Sequence, residues 1–265
     1  MKRYAEIDIL KGIAVICMVI FHVFYYPHQY GYTEIRYDTF PLPIIAKIAQ
    51  IIFITCVGIN LVFVYSQKQD ETKKEYYKKQ FKRIFKLLIC AILMSLFTYY
   101  VFGDRFVKFG ILHFIAFSSL ILLPILGDVS MIRGLIILLS LFYFMNHYNP
   151  EFFHSIPSPI AFISGFYSKW GAVDHFPLLP WLIFMCMGVL IGHEYVQKKP
   201  NLIPKHIEEL FAVKVLRKIG SYSLEIYMVH WVILYVIYTH IYPKFIRNLT
   251  PENNSDNIYN SQVND

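Results

Sequence analysis

The sequence predicts an all-α, polytopic transmembrane helix bundle with about seven spans and a cytosolic N-terminus. Of its 265 residues, 56% are hydrophobic and only 16% are charged, whereas about a quarter of residues are charged in soluble domains. The mean hydropathy is +0.45. Apolar runs long enough to cross a hydrocarbon layer of about 30 Å recur along the chain. The basic residues fall mainly in the polar segments between these runs.

Seven apolar runs account for the predicted spans. The fifth is the shortest, and neither an internal repeat nor a large polar insertion divides the chain. We therefore expect residues 1–246 to form a single transmembrane domain, followed by a polar external tail at 247–265. The runs are 7–26, 41–65, 85–102, 107–126, 134–148, 177–195 and 219–242.

The distribution of Lys and Arg predicts the orientation. With the N-terminus in the cytosol, 18 of the 25 basic residues fall in cytosolic segments, six fall in external ones, and Lys47 lies within a span. This bias follows the positive-inside rule. The net charge of +7 therefore reflects membrane topology, and we expect no nucleic acid partner. The four cysteines lie in apolar runs without CxxC spacing, which predicts neither a disulfide framework nor a metal site.

The first span carries ionisable residues at helical spacing. Lys11 and His22 are eleven residues apart, which brings them onto one stripe of a helix, about 16 Å apart along its axis. Asp8 precedes Lys11 by three residues, within reach of an ion pair. Ionisable groups inside a span are energetically unfavourable and often functional. The purely structural alternative is an ion pair at the helix end and a histidine that reaches toward the interface.

Two further polar positions share the predicted outer depth of His22. His113 lies in the motif FGILH at the start of the fourth run, and Asp174 lies in DHFPLLPW before the sixth. His113 could equally be a core histidine, and Asp174 could simply cap a helix. His28 lies just beyond the first span, close enough to an external site to act as a base.

The basic linker at 66–86 is the main cluster of positive charge on the predicted cytosolic side. It contains Lys82 and Arg83. Clustered Lys and Arg side chains suit a phosphorylated ligand. The alternative is that they set the topology and contact anionic lipid.

Several blocks of the chain resemble a known family. RYAEIDILKGIAVICMVIFHVF, VKFGILHFIAFSSLILLP, DHFPLLPWLIFMCMGVLIG and LRKIGSYSLEIYMVHWVIL are similar to blocks of the family that includes the catalytic domain of heparan-α-glucosaminide N-acetyltransferase. The resemblance covers about residues 3–240. The first block also resembles the wider transmembrane acyltransferases, which place a basic residue and a histidine with ten residues between them, as Lys11 and His22 are placed.

The sequence departs from the family's pattern at one position. The animal enzyme has an asparagine where His22 lies here, and its reactive histidine comes later, where His28 is the nearest histidine in this chain. The resemblance therefore leaves the catalytic base open between these two residues.

The resemblance implies acyl transfer from cytosolic acetyl-CoA, or another acyl-CoA, to an amino sugar or sugar hydroxyl on a glycan or glycolipid outside. It implies no metal cofactor. The length of the chain is similar to that of small prokaryotic relatives, which implies a multi-pass protein of the plasma membrane. Aromatic-rich spans could pack against lipid or a second copy. With the polar stripe and the shared depth, the resemblance predicts catalytic roles for His22, His113, Asp174 and His28. The predicted CoA-binding residues are Lys11, Lys82 and Arg83.

A transporter or carrier of a small envelope metabolite is the alternative function. Intramembrane charges could line its pathway. This alternative predicts substrate flux without thioester cleavage. Many transporters contain inverted repeats, and the sequence shows none.

Overall fold

The computed structural model describes residues 4–33, 36–67, 72–166, 172–198 and 203–249. Most of the predicted tail, residues 250–265, lies outside these ranges. In the described part of the chain the regular elements are helices, which confirms the predicted all-α class. The helices are α1 (Ala5–Gln29), α2 (Leu42–Ser66), α3 (Lys73–Phe102), α4 (Ile111–Leu122), α5 (Val129–Tyr148), α6 (Ser158–Ser164), α7 (Leu178–Lys198), α8 (Lys205–Glu208), α9 (Phe211–Ser221), α10 (Ser223–Val236) and α11 (Tyr242–Leu249).

Six helical segments in the described ranges are long and apolar enough to cross a membrane, which confirms a polytopic bundle. The fourth predicted run differs, because its helix α4 has only 12 residues and is about 18 Å long. The fifth run, predicted to be the shortest, forms the 20-residue α5. The six segments are α1, α2, Lys73–Arg105, α5, α7 and Ser223–Phe245.

The fourth run nevertheless connects the two ends of the bundle. At its start, Ile111 lies beside Asp174, just before α7. At its end, the carbonyl of Leu126 lies 2.8 Å from Nε2 of His193, in the last two turns of α7. Most of α4 is buried. A short helix followed by turns therefore covers the distance that a long helix covers elsewhere, because protein surrounds its backbone.

Local sequence signals explain where two of the long helices begin. The Thr72 side chain accepts from the backbone N–H of Glu75, whose carboxylate accepts from the backbone of Thr72, so α3 begins with a capping box. The Asp128 carboxylate accepts from the N–H groups of Ser130 and Met131 and caps α5. Such caps satisfy N–H groups that have no partner inside the helix.

Glycines allow α2 and α7 to pack closely. A Cβ on Gly58 would collide with the backbone of Met185, and a Cβ on Gly188 would collide with the backbone of Thr55. Small residues let transmembrane helices approach backbone to backbone, and dispersion contacts then stabilise the pair. These two helices are the most buried of the six long segments in the described ranges.

A second glycine contact joins α1 to α9. A Cβ on Gly12 would collide with the carbonyl of Leu216, and a Cβ on Gly220 would collide with the carbonyl of Asp8. Gly12 and Gly220 therefore lie opposite each other. Farther along, the ring of His22 on α1 lies 5.0 Å from that of His230 on α10. The α9–α10 segment therefore runs parallel to α1.

Candidate active site

A cavity of about 380 Å³ lies between α1, α2, α10 and the loop before α7. We call it the histidine cavity. Apolar and aromatic side chains form most of its wall, with a few polar groups among them, as is common for small-molecule sites. Its polar and aromatic lining consists of Phe21, His22, Tyr25, Gln29, Tyr37, Gln50, Phe53, Arg105, Asp174, Phe176, Ser223, Tyr227 and Trp231.

The backbone of α1 fixes the tautomer of His22. Its Nδ1 lies 2.8 Å from the carbonyl oxygen of Met18. A carbonyl only accepts, so Nδ1 carries the hydrogen of the neutral ring and Nε2 keeps its lone pair. The half-buried ring lies 5.0 Å from Trp231 and 5.4 Å from Phe21. Because these neighbours hold the imidazole in place, Nε2 is available as a base or nucleophile.

Asp174 enters the cavity from the loop that precedes α7. The backbone N–H of Ile111, at the start of α4, donates to its carboxylate. Gly110 makes room for this contact, because a Cβ there would lie 3.0 Å from Oδ2 of Asp174. Burial raises the pKa of Asp174 to about 7, although the Ile111 N–H acts in the opposite direction. Near neutral pH this carboxyl can therefore donate a hydrogen bond as well as accept one.

Backbone pairing holds the Asp174 loop against the loop that precedes α4. The N–H of Val173 donates to the carbonyl of Arg105 at 2.7 Å, and the N–H of Phe176 donates to that of Phe109 at 2.9 Å. His175 turns away and packs on Phe162, with ring centroids 3.9 Å apart. Desolvation lowers the pKa of His175. These contacts fix Asp174 at the cavity and give His175 a structural role.

Two other polar side chains of the cavity are suited to bind a ligand. The side-chain oxygen of Gln50 is buried and has no hydrogen-bond partner among the described residues. Arg105 is exposed and lines the same cavity. Together they offer hydrogen bonds that the protein itself does not use fully, which suits a polar ligand.

A second cavity, of about 300 Å³, lies between α1, α2, α3 and α4, nearer the start of α1. We call it the lysine cavity. Nζ of Lys11 lies 2.7 Å from Oδ1 of Asp8, and both line this cavity, as do Gln80 and Arg83 of α3. The ion pair lets the Lys11 side chain remain largely buried.

A surface groove of about 780 Å³ adjoins the lysine cavity along α3. Val64, Gln80 and Arg83 line both. The basic residues of the groove are Lys79, Lys82, Arg83 and Lys86. The groove and the lysine cavity therefore form one continuous cationic surface that extends into the bundle.

The histidine and lysine cavities follow each other along α1, α2 and α4. On α2 the wall passes from Phe53 to Val57, and on α4 it passes from Ile111 to Ile115. Each step is four residues, or about one helical turn. The two cavities are therefore neighbours along the interface of α1, α2 and α4.

The structure brings together some of the predicted site residues and separates others. His22 and Asp174 line the histidine cavity. Lys11 and Arg83 line the lysine cavity, and Lys82 lies in the adjoining groove. The catalytic and CoA-binding roles of all these residues remain predictions.

The other two predicted catalytic histidines lie outside the lining of the histidine cavity. His113 packs against Phe109, with ring centroids 5.9 Å apart. His28 lies 5.4 Å from Tyr37, a residue of the cavity wall. Although their roles remain predictions, the geometry favours His22.

Sequence reasoning missed several cavity residues, and it did not assign His230 to the site. Tyr227 and Trp231 looked like ordinary aromatic residues of a span, and Arg105 looked like a loop cation. One signal was available: His22 follows Gly12 by ten residues, and His230 follows Gly220 by ten residues. Equal spacing on two parallel helices places the two imidazoles at the same height.

Comparison with known families identifies one match. A family model described as heparan-alpha-glucosaminide N-acetyltransferase, catalytic, matches residues 3–232. The chain belongs to this family. It is therefore a multi-pass membrane protein of the acetyltransferase type. No curated protein and no solved structure was found to match the chain.

Proposed function

We propose that the protein transfers an acyl group from acyl-CoA bound at the lysine cavity to an amino sugar or sugar hydroxyl bound in the histidine cavity. The observation that carries this proposal is the succession of the two cavities along the interface of α1, α2 and α4, about one helical turn apart. A cationic site suits the phosphates of CoA, and an imidazole suits the transfer step. Family membership supports acetyl as the acyl group.

On the donor side, the cations of the groove and of the lysine cavity bind the phosphates. Lys82 and Arg83 are exposed on α3 and can contact a ligand that arrives from the aqueous phase. Lys11 lies deeper, already paired with Asp8. The pantetheine arm then extends past Val57 and Ile115 toward the histidine cavity.

On the acceptor side, His22 carries out the proton transfer. Nε2 takes the proton from the attacking amine or hydroxyl, whose nitrogen or oxygen forms a bond to the thioester carbonyl carbon. The carbon–sulfur bond breaks, and the CoA thiolate takes the proton. Alternatively, Nε2 attacks the thioester first and holds the acyl group until the acceptor arrives. Both routes use the same free lone pair.

Asp174 acts beside His22 in its protonated form. Its carboxyl, with a pKa of about 7, donates a hydrogen bond to the acceptor sugar or to the developing oxyanion. The backbone N–H of Ile111, at the start of α4, donates to this carboxyl and holds it in place.

The orientation completes the proposal. The N-terminus lies in the cytosol of a prokaryotic cell, and the chain lies in its plasma membrane. The lysine cavity then opens toward cytosolic acyl-CoA, and the acceptor binds from outside. The excess of Lys and Arg in the segments on one side supports this arrangement.

The test uses purified protein in liposomes, with radiolabelled acetyl-CoA on one side and a glucosamine-bearing glycolipid as acceptor. We expect labelled glycolipid to form together with an equal amount of free CoA thiol. Empty liposomes supply the background. Flux of a solute without release of CoA thiol would indicate the transporter alternative and contradict the proposal.

A further inference from the structure

The most informative unassigned group is the imidazole of His230. We propose that His230 is a positioning residue for acyl transfer: it pairs with His22 and accepts a hydrogen bond from the proton that His22 takes up. This inference rests on the proposed function, and it adds a residue that the sequence analysis did not include in the site.

Both imidazoles have the same tautomer. Nδ1 of His230 lies 2.7 Å from the carbonyl oxygen of Tyr227, just as Nδ1 of His22 lies 2.8 Å from that of Met18. Each neutral ring therefore presents an unprotonated Nε2. Nε2 of His230 is buried and has no hydrogen-bond partner among the described residues.

An unsatisfied buried acceptor is unfavourable, because it has lost its hydrogen bonds to water. It is rare in folded proteins, and each instance calls for an explanation. A hydrogen-bond donor that forms only during the reaction explains this unsatisfied acceptor. When His22 takes a proton at Nε2, it becomes such a donor, and the ring centroids are only 5.0 Å apart.

The register of two parallel helices brings the rings together. Gly12 and Gly220 meet backbone to backbone, and each histidine follows its glycine by ten residues. Ten helical residues raise the ring of His22 by about 15 Å, and His230 meets it although the helix is interrupted at Tyr222, between α9 and α10. The glycine contact therefore sets the height at which His22 and His230 meet.

His230 acts through His22 and not on the substrate. Its ring is 5% exposed, and it does not line the histidine cavity, whereas His22 does. It therefore acts on the acceptor only through His22. It can stabilise the protonated form of His22, since a buried positive charge without a hydrogen-bond acceptor is strongly unfavourable.

The hydrogen bond to His230 adds no reactant and no product to the acyl transfer. The proton moves from the acceptor nitrogen or oxygen to Nε2 of His22, and the new N–H is shared between that acceptor atom and Nε2 of His230. The acyl carbon bonds to the acceptor as the carbon–sulfur bond breaks. The CoA thiolate then removes the proton from His22, and both rings return to their neutral forms.

The main experiment compares His230→Gln with His230→Leu in the acetyl transfer assay. Because a hydrogen bond to a charged group is lost, we expect kcat of the Leu variant to fall about 10–100-fold. KM for acetyl-CoA should stay within twofold, because His230 is remote from the lysine cavity. The Gln variant keeps an acceptor oxygen and should recover most of kcat. If His230 only fills space, the Leu variant keeps its activity and the polar Gln variant is the worse one, which would overturn the inference.

The register is tested with Gly220→Ala, and Gly134→Ala serves as the control. Nothing lies within 4 Å of a Cβ on Gly134, so this variant should behave like wild type. Gly220→Ala forces α9 away from α1 and should lower kcat more than it changes KM. Unchanged kcat in Gly220→Ala would show that the glycine contact does not determine where His22 and His230 meet.

A cross-linking measurement separates failure of this inference from failure of the proposed function. In a background without Cys17, Cys56, Cys90 and Cys186, oxidation should cross-link His22→Cys/His230→Cys within one chain. It should not cross-link His22→Cys/Val229→Cys, because Val229 is exposed on another face of α10. Cross-linking of His22→Cys/His230→Cys, together with no transferase activity of the wild-type protein, would leave the pair intact and refute only the function. Absence of cross-linking in this variant, or equal cross-linking in the Val229 control, would refute the pair.

Discussion

The histidine cavity and the lysine cavity use the same three helices but differ in how they are built. The lysine cavity takes its charges from Lys11 and Arg83, which lie on long helices. The histidine cavity takes Asp174 and Arg105 from loops that pair with each other. Charges on helices follow a periodic pattern, whereas groups on loops converge only when the chain has folded.

This contrast suggests a division of labour. Exposed cations at the surface can attract a charged donor through the aqueous phase. The buried histidine cavity can hold neutral polar groups in fixed geometry, which strengthens each hydrogen bond there. Binding and chemistry should therefore respond to different substitutions, and four predictions test this separation.

The largest expected effect is that of His22→Ala on the turnover rate. The variant lacks the only group in the proposal that moves the acceptor proton, so kcat should fall by about 10²–10⁴-fold. KM for acetyl-CoA should change little, because the donor phosphates bind elsewhere. Rates of [¹⁴C]acetyl transfer, measured over a range of acetyl-CoA concentrations, give both constants.

His113→Ala is the control for that measurement. His113 lies against Phe109, outside the cavity lining, so its removal should leave kcat within a few-fold of wild type. If His113→Ala lost as much activity as His22→Ala, the assignment of the base from cavity geometry would be wrong.

The next effect concerns donor binding at the lysine cavity. Arg83 lines both the cavity and the adjoining groove. Loss of one charge-assisted hydrogen bond in Arg83→Gln should raise KM for acetyl-CoA about 10–100-fold. The turnover rate at saturating donor should remain near wild type.

Lys74→Gln provides the matched control on the same helix. Lys74 is exposed one residue into α3 and does not line the groove. Its loss should change KM less than threefold, which corresponds to the small contribution of exposed charges. If the two substitutions changed KM equally, the cationic groove would attract acetyl-CoA only nonspecifically.

The sequence predicted much more of the lysine cavity than of the histidine cavity. The basic stretch of α3 and the Asp8–Lys11 spacing are visible in the sequence, and Asp8 and Lys11 do form an ion pair at 2.7 Å. The side chains of Tyr227 and Arg105 come from distant segments and share a cavity only through tertiary packing. A single sequence carries no signal for such convergence.

The number and length of the spans show the same limit. Hydropathy predicted seven runs, and it correctly located the six long segments that the structure contains. It could not show that α4 would be only 12 residues long. The backbone after α4 leaves the helix because neighbouring helices supply its partners, as His193 does for the carbonyl of Leu126.

A third prediction concerns the passage between the two cavities. Val57 lines the lysine cavity, one helical turn from Phe53 of the histidine cavity. Val57→Phe should narrow this passage and lower kcat about tenfold. Binding of free CoA, measured by calorimetry, should stay near wild type because the phosphate site is intact.

Ile48→Phe is the control for added volume on α2. Ile48 is 51% exposed, so a larger apolar side chain there meets no neighbouring wall. Its kcat should be unchanged. If Val57→Phe also left kcat unchanged, the pantetheine arm would not pass between these helices.

The smallest effect at neutral pH is that of the Asp174 proton. Burial raises the pKa of Asp174 to about 7, so the protonated form is nearly complete at pH 6, about half at pH 7 and about a tenth at pH 8. If the protonated carboxyl donates to the acceptor, kcat should fall across this range. Asp174→Asn stays neutral at every pH and keeps donor N–H groups. It should therefore lose this alkaline decrease while its rate at pH 6 remains within a few-fold of wild type. An alkaline decrease that persists in Asp174→Asn would assign it to another group, and the histidine cavity would then depend on His22 without help from this carboxyl.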